Sequence, residues 1–301
     1  MLLESGGAMI RLAVVSGKGG TGKTVITGAI AHVSTCSKVM VDCDVDAANL
    51  ELILNPKVIE RQEFAGMDTA LIDQAACTAC GICAGACRFD AIKTNGTSFV
   101  VCSDHCEGCG VCRYLCPSYA ISMRRRVCGE IFYSQTHFGN LVHARLTPGA
   151  ANSGLLVGII KKIALERNSD CDLLLVDGPP GIGCPLISTV TGMDAILAVT
   201  EPSISGLHDL ERLIRVCHPL SADIAVVINK YDLNIPGSDS IRVFCQNAGI
   251  PVVGQIPYDE SVMDAVRKGR LVTEYDSPAA QAIHSLWDEI LSTFGVRAFA
   301  G

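Results

Sequence analysis

Short apolar runs alternate with longer amphipathic ones along most of the chain. Residues 10–16, 38–43, 172–176, 195–199, 224–228 and 251–256 are rich in Val, Ile and Leu and show little polar alternation. That pattern predicts strands buried on both faces. Helix-length patterns lie between them, near residues 23–35, 154–167, 206–216, 238–248, 260–269 and 278–294. Strands alternating with helices predict an α/β fold, a parallel sheet covered by helices on both sides.

Residues 68–122 break this rhythm. Two similar segments follow one another, CTACGICAGACRFDAI from Cys77 and CEGCGVCRYLCPSYAI from Cys106, an internal repeat offset by 29 residues. The repeat falls between the second strand and the later ones, so it reads as an insert in the α/β domain. The mostly polar stretch from Asn55 to Asp68 is the expected linker in, and Arg124–Arg126 lies near the expected linker out.

Composition narrows the class. The chain has 301 residues, 49% hydrophobic and 18% charged, which excludes a disordered protein. Its formal charge is −7, whereas a broad nucleic-acid footprint needs a basic surplus. No run of 18 apolar residues predicts a membrane span. The last helical stripe, Ile283, Leu286, Trp287, Ile290, Leu291 and Phe294, is backed by His284, Asp288 and Glu289. A membrane-surface helix would carry Lys and Arg there, so docking on the core is expected. The start lacks the marks of an export signal, and Met9 is an alternative start that would leave residues 1–8 dispensable. A cytoplasmic location is expected, where the 16 cysteines point to metal rather than to disulfides.

Gly17-Lys18-Gly19-Gly20-Thr21-Gly22-Lys23-Thr24 fits G-x-x-x-x-G-K-[ST] between a predicted strand and a predicted helix. Backbone N–H groups of such a loop turn toward phosphate oxygens, and the helix N-terminus adds positive potential. Lys23 is expected on the β- and γ-phosphates and the Thr24 hydroxyl on Mg²⁺. Asp177, at the end of a buried strand in Val176-Asp-Gly-Pro-Pro-Gly181, suits a Mg²⁺-water ligand. A buried carboxylate there otherwise needs a partner.

With its second lysine, Lys18, the loop resembles that of the MinD/ParA/Mrp family of P-loop ATPases, which is also similar to the nitrogenase iron protein. The resemblance implies ATP as ligand and an ATP-dependent homodimer in which Lys18 reaches the partner's nucleotide. It also implies that Asp44, in the second-strand run Val41-Asp-Cys-Asp-Val-Asp46, orients or deprotonates the attacking water. Asp42 and Asp46 are left open as surface acids. Asn229, in Asn229-Lys-Tyr-Asp232, is by the same resemblance an adenine contact, although the letters also fit the guanine signature N-K-x-D.

Cys77, Cys80, Cys83 and Cys87 follow C-x2-C-x2-C-x3-C. Cys106, Cys109, Cys112 and Cys116 repeat it. The spacing is that of bacterial two-cluster ferredoxins, whose fourth cysteine ligates the other cluster. This resemblance implies one [4Fe–4S] cluster on Cys77, Cys80, Cys83 and Cys116, and a second on Cys106, Cys109, Cys112 and Cys87. Zinc, the alternative, prefers two C-x2-C pairs per ion. The first run departs from the pattern, with Arg88 where Pro is usual. Of the other cysteines, Cys36, Cys43, Cys102, Cys128, Cys171, Cys217 and Cys245 read as packing residues. Cys184, in Gly181-Ile-Gly-Cys-Pro185, is a candidate redox or ligand residue, because the nitrogenase iron protein carries a cluster cysteine on the corresponding segment.

The expected division is therefore a P-loop ATPase domain at residues 1–67 and 123–301, with a small α+β ferredoxin-like insert at 68–122. The expected function is an ATPase that gates electron delivery to an unidentified client protein. Two alternatives are an assembly or maturation ATPase for clusters or metallocofactors, and a positioning ATPase with structural clusters.

Overall fold

The computed structural model describes residues 9–150 and 152–294, so the expectation about residues 1–8 lies outside the described residues. In chain order the elements are β1 (Ile10–Ser16), α1 (Lys23–Val33), β2 (Lys38–Asp42), α2 (Leu50–Leu54), β3 (Lys57–Ala65), β4 (Thr69–Ile72), α3 (Ile82–Ala86), β5 (Ile92–Thr94), β6 (Phe99–Val101), α4 (Val111–Leu115), β7 (Ile121–Arg124), β8 (Val127–Thr136) and β9 (Gly139–Leu146). Then follow α5 (Ser153–Arg167), β10 (Leu173–Pro180), α6 (Cys184–Val190), β11 (Ala195–Thr200), α7 (Ile204–Cys217), β12 (Asp223–Asn229), α8 (Ile235–Ala248), β13 (Val252–Ile256), α9 (Glu260–Arg267) and α10 (Pro278–Thr293).

Nine strands form one sheet in the order β13-β12-β11-β1-β10-β2-β9-β8-β3. The first seven are parallel, while β8 and β3 add antiparallel at one edge. Successive residues of the central strands feed opposite cores. Ala13, Val15, Val39, Val41, Leu174 and Val176 face one layer, and Leu12, Val14, Met40, Leu173 and Leu175 face the other. This two-sided burial is why the strands read as unbroken apolar runs. The stripe of α10 is buried too, with Ile283, Leu286, Trp287 and Ile290 in the second layer. Among the described residues, no helix is long and apolar enough to cross a membrane.

The expected polar linker at residues 55–68 is instead mostly β3, an edge strand. Seven of its nine residues are exposed, and edge strands tolerate and use such charge. Its partners β8 and β9 carry no sequence expectation and extend the sheet beyond the predicted strands. Between β3 and β8 the chain closes on itself. Strand β4 pairs with β7 from Thr69↔Arg124 to Ile72↔Ile121, β5 pairs with β6, and a small separate core holds Ala70, Ile72, Cys83, Ile92 and Ile121. The pairing carries this segment through Arg124, so the Arg124–Arg126 stretch starts inside the last strand of the segment and ends one residue before β8.

Candidate nucleotide site and cysteine cradles

The adjacent strands β1, β10 and β2 end on the same side of the sheet. In register, Asp177 lies beside both Val14 and Asp42. Loops following the carboxyl ends of neighbouring parallel strands converge, which is where such sheets build sites. A pocket of about 420 Å³ opens there, lined by Ser16, Gly19–Val25, Asp44, Asn49, Pro180 and several apolar side chains.

Lys23 and Asp177 are both buried and paired, Nζ to Oδ1 at 2.7 Å. The Thr24 hydroxyl donates to Asp177 Oδ2 at 2.7 Å, and that of Thr27 donates to Oδ1 at 3.0 Å. Lys23 is thus the partner that the buried carboxylate requires. Thr21 lines the pocket, and its Oγ1 is buried with no hydrogen-bond partner among the described residues.

Asn229 sits beneath the loop rather than within the pocket. Its Nδ2 donates to the Thr21 carbonyl at 2.7 Å. Gly22, at φ +89°, makes room for it, since a Cβ there would lie 2.3 Å from Nδ2. Gly17 packs closely against Asp209, where a Cβ would meet the Asp209 carbonyl at 2.5 Å.

Lys18 is engaged within its own chain. Its Nζ lies 2.7 Å from Glu201 Oε1 and donates to Ser205 Oγ at 2.9 Å and Ser203 Oγ at 3.2 Å. Lys230 flanks the same carboxylate at 3.5 Å. Burial would raise the Glu201 carboxyl, but Lys18 and Lys230 outweigh it and hold it below the usual range. None of Glu201, Ser203 and Ser205 was apparent from the sequence. They follow β11, beside β1, and only the strand order brings them to the loop.

Asp42 is not a surface acid. It is fully buried and accepts the backbone N–H groups of Asp44, Asn49 and Leu50 at 3.0, 3.1 and 3.0 Å. Burial, and then the nearby Asp177 charge, push its carboxyl up to about 7 against the pull of Lys23. Asp42 therefore shapes the loop carrying Asp44 and the start of α2. Asp44 lines the pocket half-buried, its carboxyl raised by burial, while Asp46 is exposed. In the first turn of α2, Glu51 bonds to Arg145 on β9 and lies 3.3 Å from the buried His143 Nδ1. The His143 ring stacks on Phe132 of β8 at 4.9 Å.

The cysteine runs line two separate hollows. One is bordered by Cys77, Cys80, Cys83 and Cys116, the other by Cys87, Cys106, Cys109 and Cys112. The sequence repeat is also a backbone repeat. Positive φ recurs at the pairs Ala79/Gly108, Gly81/Gly110 and Asp90/Tyr119, each separated by 29 residues. Asp73 N–H donates to Ala120 O, and Cys102 N–H donates to Ala91 O, both at 2.7 Å. These two bonds cross between the halves.

Backbone N–H groups also point at sulfur, from Ala79 to Cys77, from Ala91 to Cys87 and from Ala120 to Cys116, at 3.3–3.4 Å. Burial raises Cys83 and Cys112. It acts the same way on Cys106, but the polar groups of Ala70, Gly108 and Thr69 around the sulfur, and the Arg126 charge, leave that thiol below its ordinary value. The Ser118 hydroxyl lowers Cys116. Among the described residues no three Cys, His, Asp or Glu side chains converge tightly enough for a single metal ion. A tetrahedral zinc site, with Zn–S near 2.3 Å, would draw its sulfurs to about 3.8 Å from one another. Cys184 is exposed at the first position of α6 and lines neither hollow.

Several known proteins are similar to this chain in sequence or in fold. An uncharacterized protein of Methanocaldococcus jannaschii, MJ0578, is 32% identical over 94% of this chain and 97% of its own length. The cytosolic Fe-S cluster assembly factor Nubp1 homolog of Drosophila yakuba is 25% identical over 158 residues, 46% of this chain and 51% of that protein. The Pyrococcus furiosus cell division ATPase MinD shares the fold, with a TM-score of 0.57 over 94% of this chain and 99% of that one at 21% identity. Residues 12–272 match the family described as the CobQ/CobB/MinD/ParA nucleotide binding domain. The chain belongs to that family and is a P-loop ATPase of the MinD/ParA type.

Proposed function

We propose that the protein hydrolyses MgATP and carries two [4Fe–4S] clusters on its inserted segment, with nucleotide state governing one-electron transfer to a partner protein. The observation that carries this reading is the grouping of the cysteines into two crossed quartets on a segment held by β3 and β8, strands of the same sheet that bears the nucleotide loops.

The residues fit the groups assigned to them. Thr24 and Asp177 would hold Mg²⁺, which when bound neutralises charge on the phosphates. Lys23 then exchanges Asp177 for phosphate oxygens, and the unpartnered Thr21 hydroxyl has an acceptor. Asp44 orients the attacking water or takes its proton. Lys18 leaves Glu201 for the nucleotide of a second subunit, so ATP favours a homodimer. Asn229 acts from beneath, fixing the loop through the Thr21 carbonyl. ATP is favoured over GTP by the likeness to the MinD/ParA ATPases.

Cys77, Cys80, Cys83 and Cys116 would hold one cluster, and Cys106, Cys109, Cys112 and Cys87 the other. Bound clusters supply one-electron transfer. The N–H groups aimed at sulfur stabilise thiolate, the form that ligates metal. Two C-x2-C-x2-C-x3-C runs, each grouped with the other's fourth cysteine, suit two cubanes better than zinc, which prefers two C-x2-C pairs per ion.

A second reading, assembly of clusters on client proteins, is favoured by the likeness to the Nubp1 homolog over 158 residues. Anaerobically purified protein tests both. It should hold about eight irons and eight sulfides per chain and turn over ATP slowly. Stoichiometric zinc without sulfide would overturn the cluster reading. Delivery of iron and sulfide to an apo-ferredoxin, with cluster potentials indifferent to nucleotide, would establish the second reading instead.

A further inference from the structure

The two halves of the cysteine segment share one backbone but not one surface. At positions the 29-residue offset makes equivalent, the first half has Ala84, Gly85 and Asp90, and the second has Arg113, Tyr114 and Tyr119. The two tyrosines are 89% and 90% exposed. They border an open groove of about 910 Å³ whose other lining residues include Cys109 and Ser122. Exposed aromatic rings at this density are costly to leave in water and are enriched where proteins meet.

The charge of the groove has one sign. Arg113 is the only charged residue lining it among the described residues. Arg124 lies two positions beyond Ser122 on the same face of β7 and is exposed. Neither arginine has an ion pair among the described residues, whereas the nearby Arg126 is tied to Asp104 at 3.1 Å. This basic spot sits on a chain of net charge −7, so it is local and directional.

Resting on the cluster reading above, we propose that this groove is the docking port for an acidic electron-transfer protein, which exchanges electrons with the cluster held by Cys106, Cys109, Cys112 and Cys87. The occupant carries carboxylates to meet Arg113 and Arg124, and an apolar contact for the two tyrosines. A nucleic acid is disfavoured, because so few free cations neutralise few phosphates. Cys109 is exposed in the groove itself, so the docked partner lies against a cluster ligand. One electron passes from the reduced cluster to the partner's acceptor, and no bond is made or broken.

The test uses full-length, cluster-loaded protein reduced with dithionite and freed of excess reductant. It is mixed in a stopped-flow instrument with an oxidised acidic flavoprotein carrier of the flavodoxin type. Wild type should reduce the flavin at a rate that falls as salt rises. Tyr114→Ala combined with Tyr119→Asn, the asparagine suiting the positive φ there, should slow the reaction roughly tenfold. Arg113→Gln should slow it roughly threefold and flatten the salt dependence. Arg88→Gln, the same charge loss on the first half, should stay within about twofold.

Equal slowing by Arg88→Gln, rates untouched by the groove variants, or no reaction with wild type would overturn the port. So would a single-stranded RNA oligonucleotide or self-association that depends on the two tyrosines. Iron and sulfide assays on the same samples separate the two levels of failure. Protein without clusters sinks the underlying reading, while loaded protein indifferent to the groove sinks the port alone.

Discussion

Glu201→Gln should tighten ATP-dependent self-association. In the described subunit the Lys18 ammonium lies 2.7 Å from Glu201 Oε1, with two serine hydroxyls also in reach. A lysine committed to its own subunit must break this contact before it can serve a second one. The side chains are 26% and 23% exposed, so water screens much of their attraction. The pair therefore contributes about 1 kcal/mol rather than the several an isolated Coulomb estimate would give. Gln keeps the length and an acceptor oxygen but removes the charge. A symmetric dimer releases two lysines, so the gain is about 2 kcal/mol, or roughly thirtyfold in the dimer dissociation constant. Sedimentation velocity with a non-hydrolysable ATP analogue reads this directly, and association without nucleotide should not change. Lys18→Ala should abolish the ATP effect alone and in combination with Glu201→Gln. A dimer constant that is unchanged or weaker in Glu201→Gln would refute the reasoning.

Four further outcomes follow. Lys23→Ala should lose MgATP binding by calorimetry and also cost about 3–5 kcal/mol in denaturant unfolding, because it strands the buried Asp177 carboxylate. Because folding raises the Asp42 carboxyl from its ordinary value near 4 to about 7, the folded state holds that proton more tightly. The stability of nucleotide-free wild type relative to Asp42→Asn should therefore fall as pH rises from about 4 to about 7, by a few kcal/mol, and level off above. A difference independent of pH would contradict the burial argument. Cys87→Ala should damage the cluster proposed for Cys106, Cys109 and Cys112, and Cys116→Ala the one proposed for Cys77, Cys80 and Cys83, as resolved by electron paramagnetic resonance of the reduced protein. Glu51→Gln should weaken any nucleotide effect on the clusters while sparing ATP binding, because Glu51 joins the Asp44 loop to His143 and, through it, to Phe132 on β8. Titration of ATP analogue affinity in oxidised and reduced protein checks it.

What the sequence displayed is what lies close together along it. The phosphate loop is eight consecutive residues, and each cysteine run spans a few turns, so their chemistry is written locally. The seven-strand parallel core was largely visible because burial on two faces leaves unbroken Val, Ile and Leu runs. Strand β3 was hidden for the opposite reason. As an edge strand it exposes Glu60, Arg61, Gln62 and Glu63 on both faces, and no apolar period survives to mark it. The contacts that set the resting site were equally hidden. Lys23 meets Asp177 across 154 positions, and Asn229 meets Thr21 across 208. Those pairings depend on strand order, which no local pattern carries. Asp42 looked like one of three similar acids, and only its place inside the sheet separates it from the exposed Asp46.

The most direct test of the proposed coupling is the reduction potential of the clusters with and without bound nucleotide. Anaerobic titrations of wild-type protein would be run without nucleotide, with MgADP and with a magnesium-bound non-hydrolysable ATP analogue. A coupling of about 1–3 kcal/mol, the usual range for communicating sites, corresponds to about 40–130 mV for a one-electron step. A shift of that size between the ATP-analogue and nucleotide-free states, lost in Lys23→Ala, is the predicted result. Potentials that coincide in all three states, in protein that binds nucleotide and holds both clusters, would contradict it.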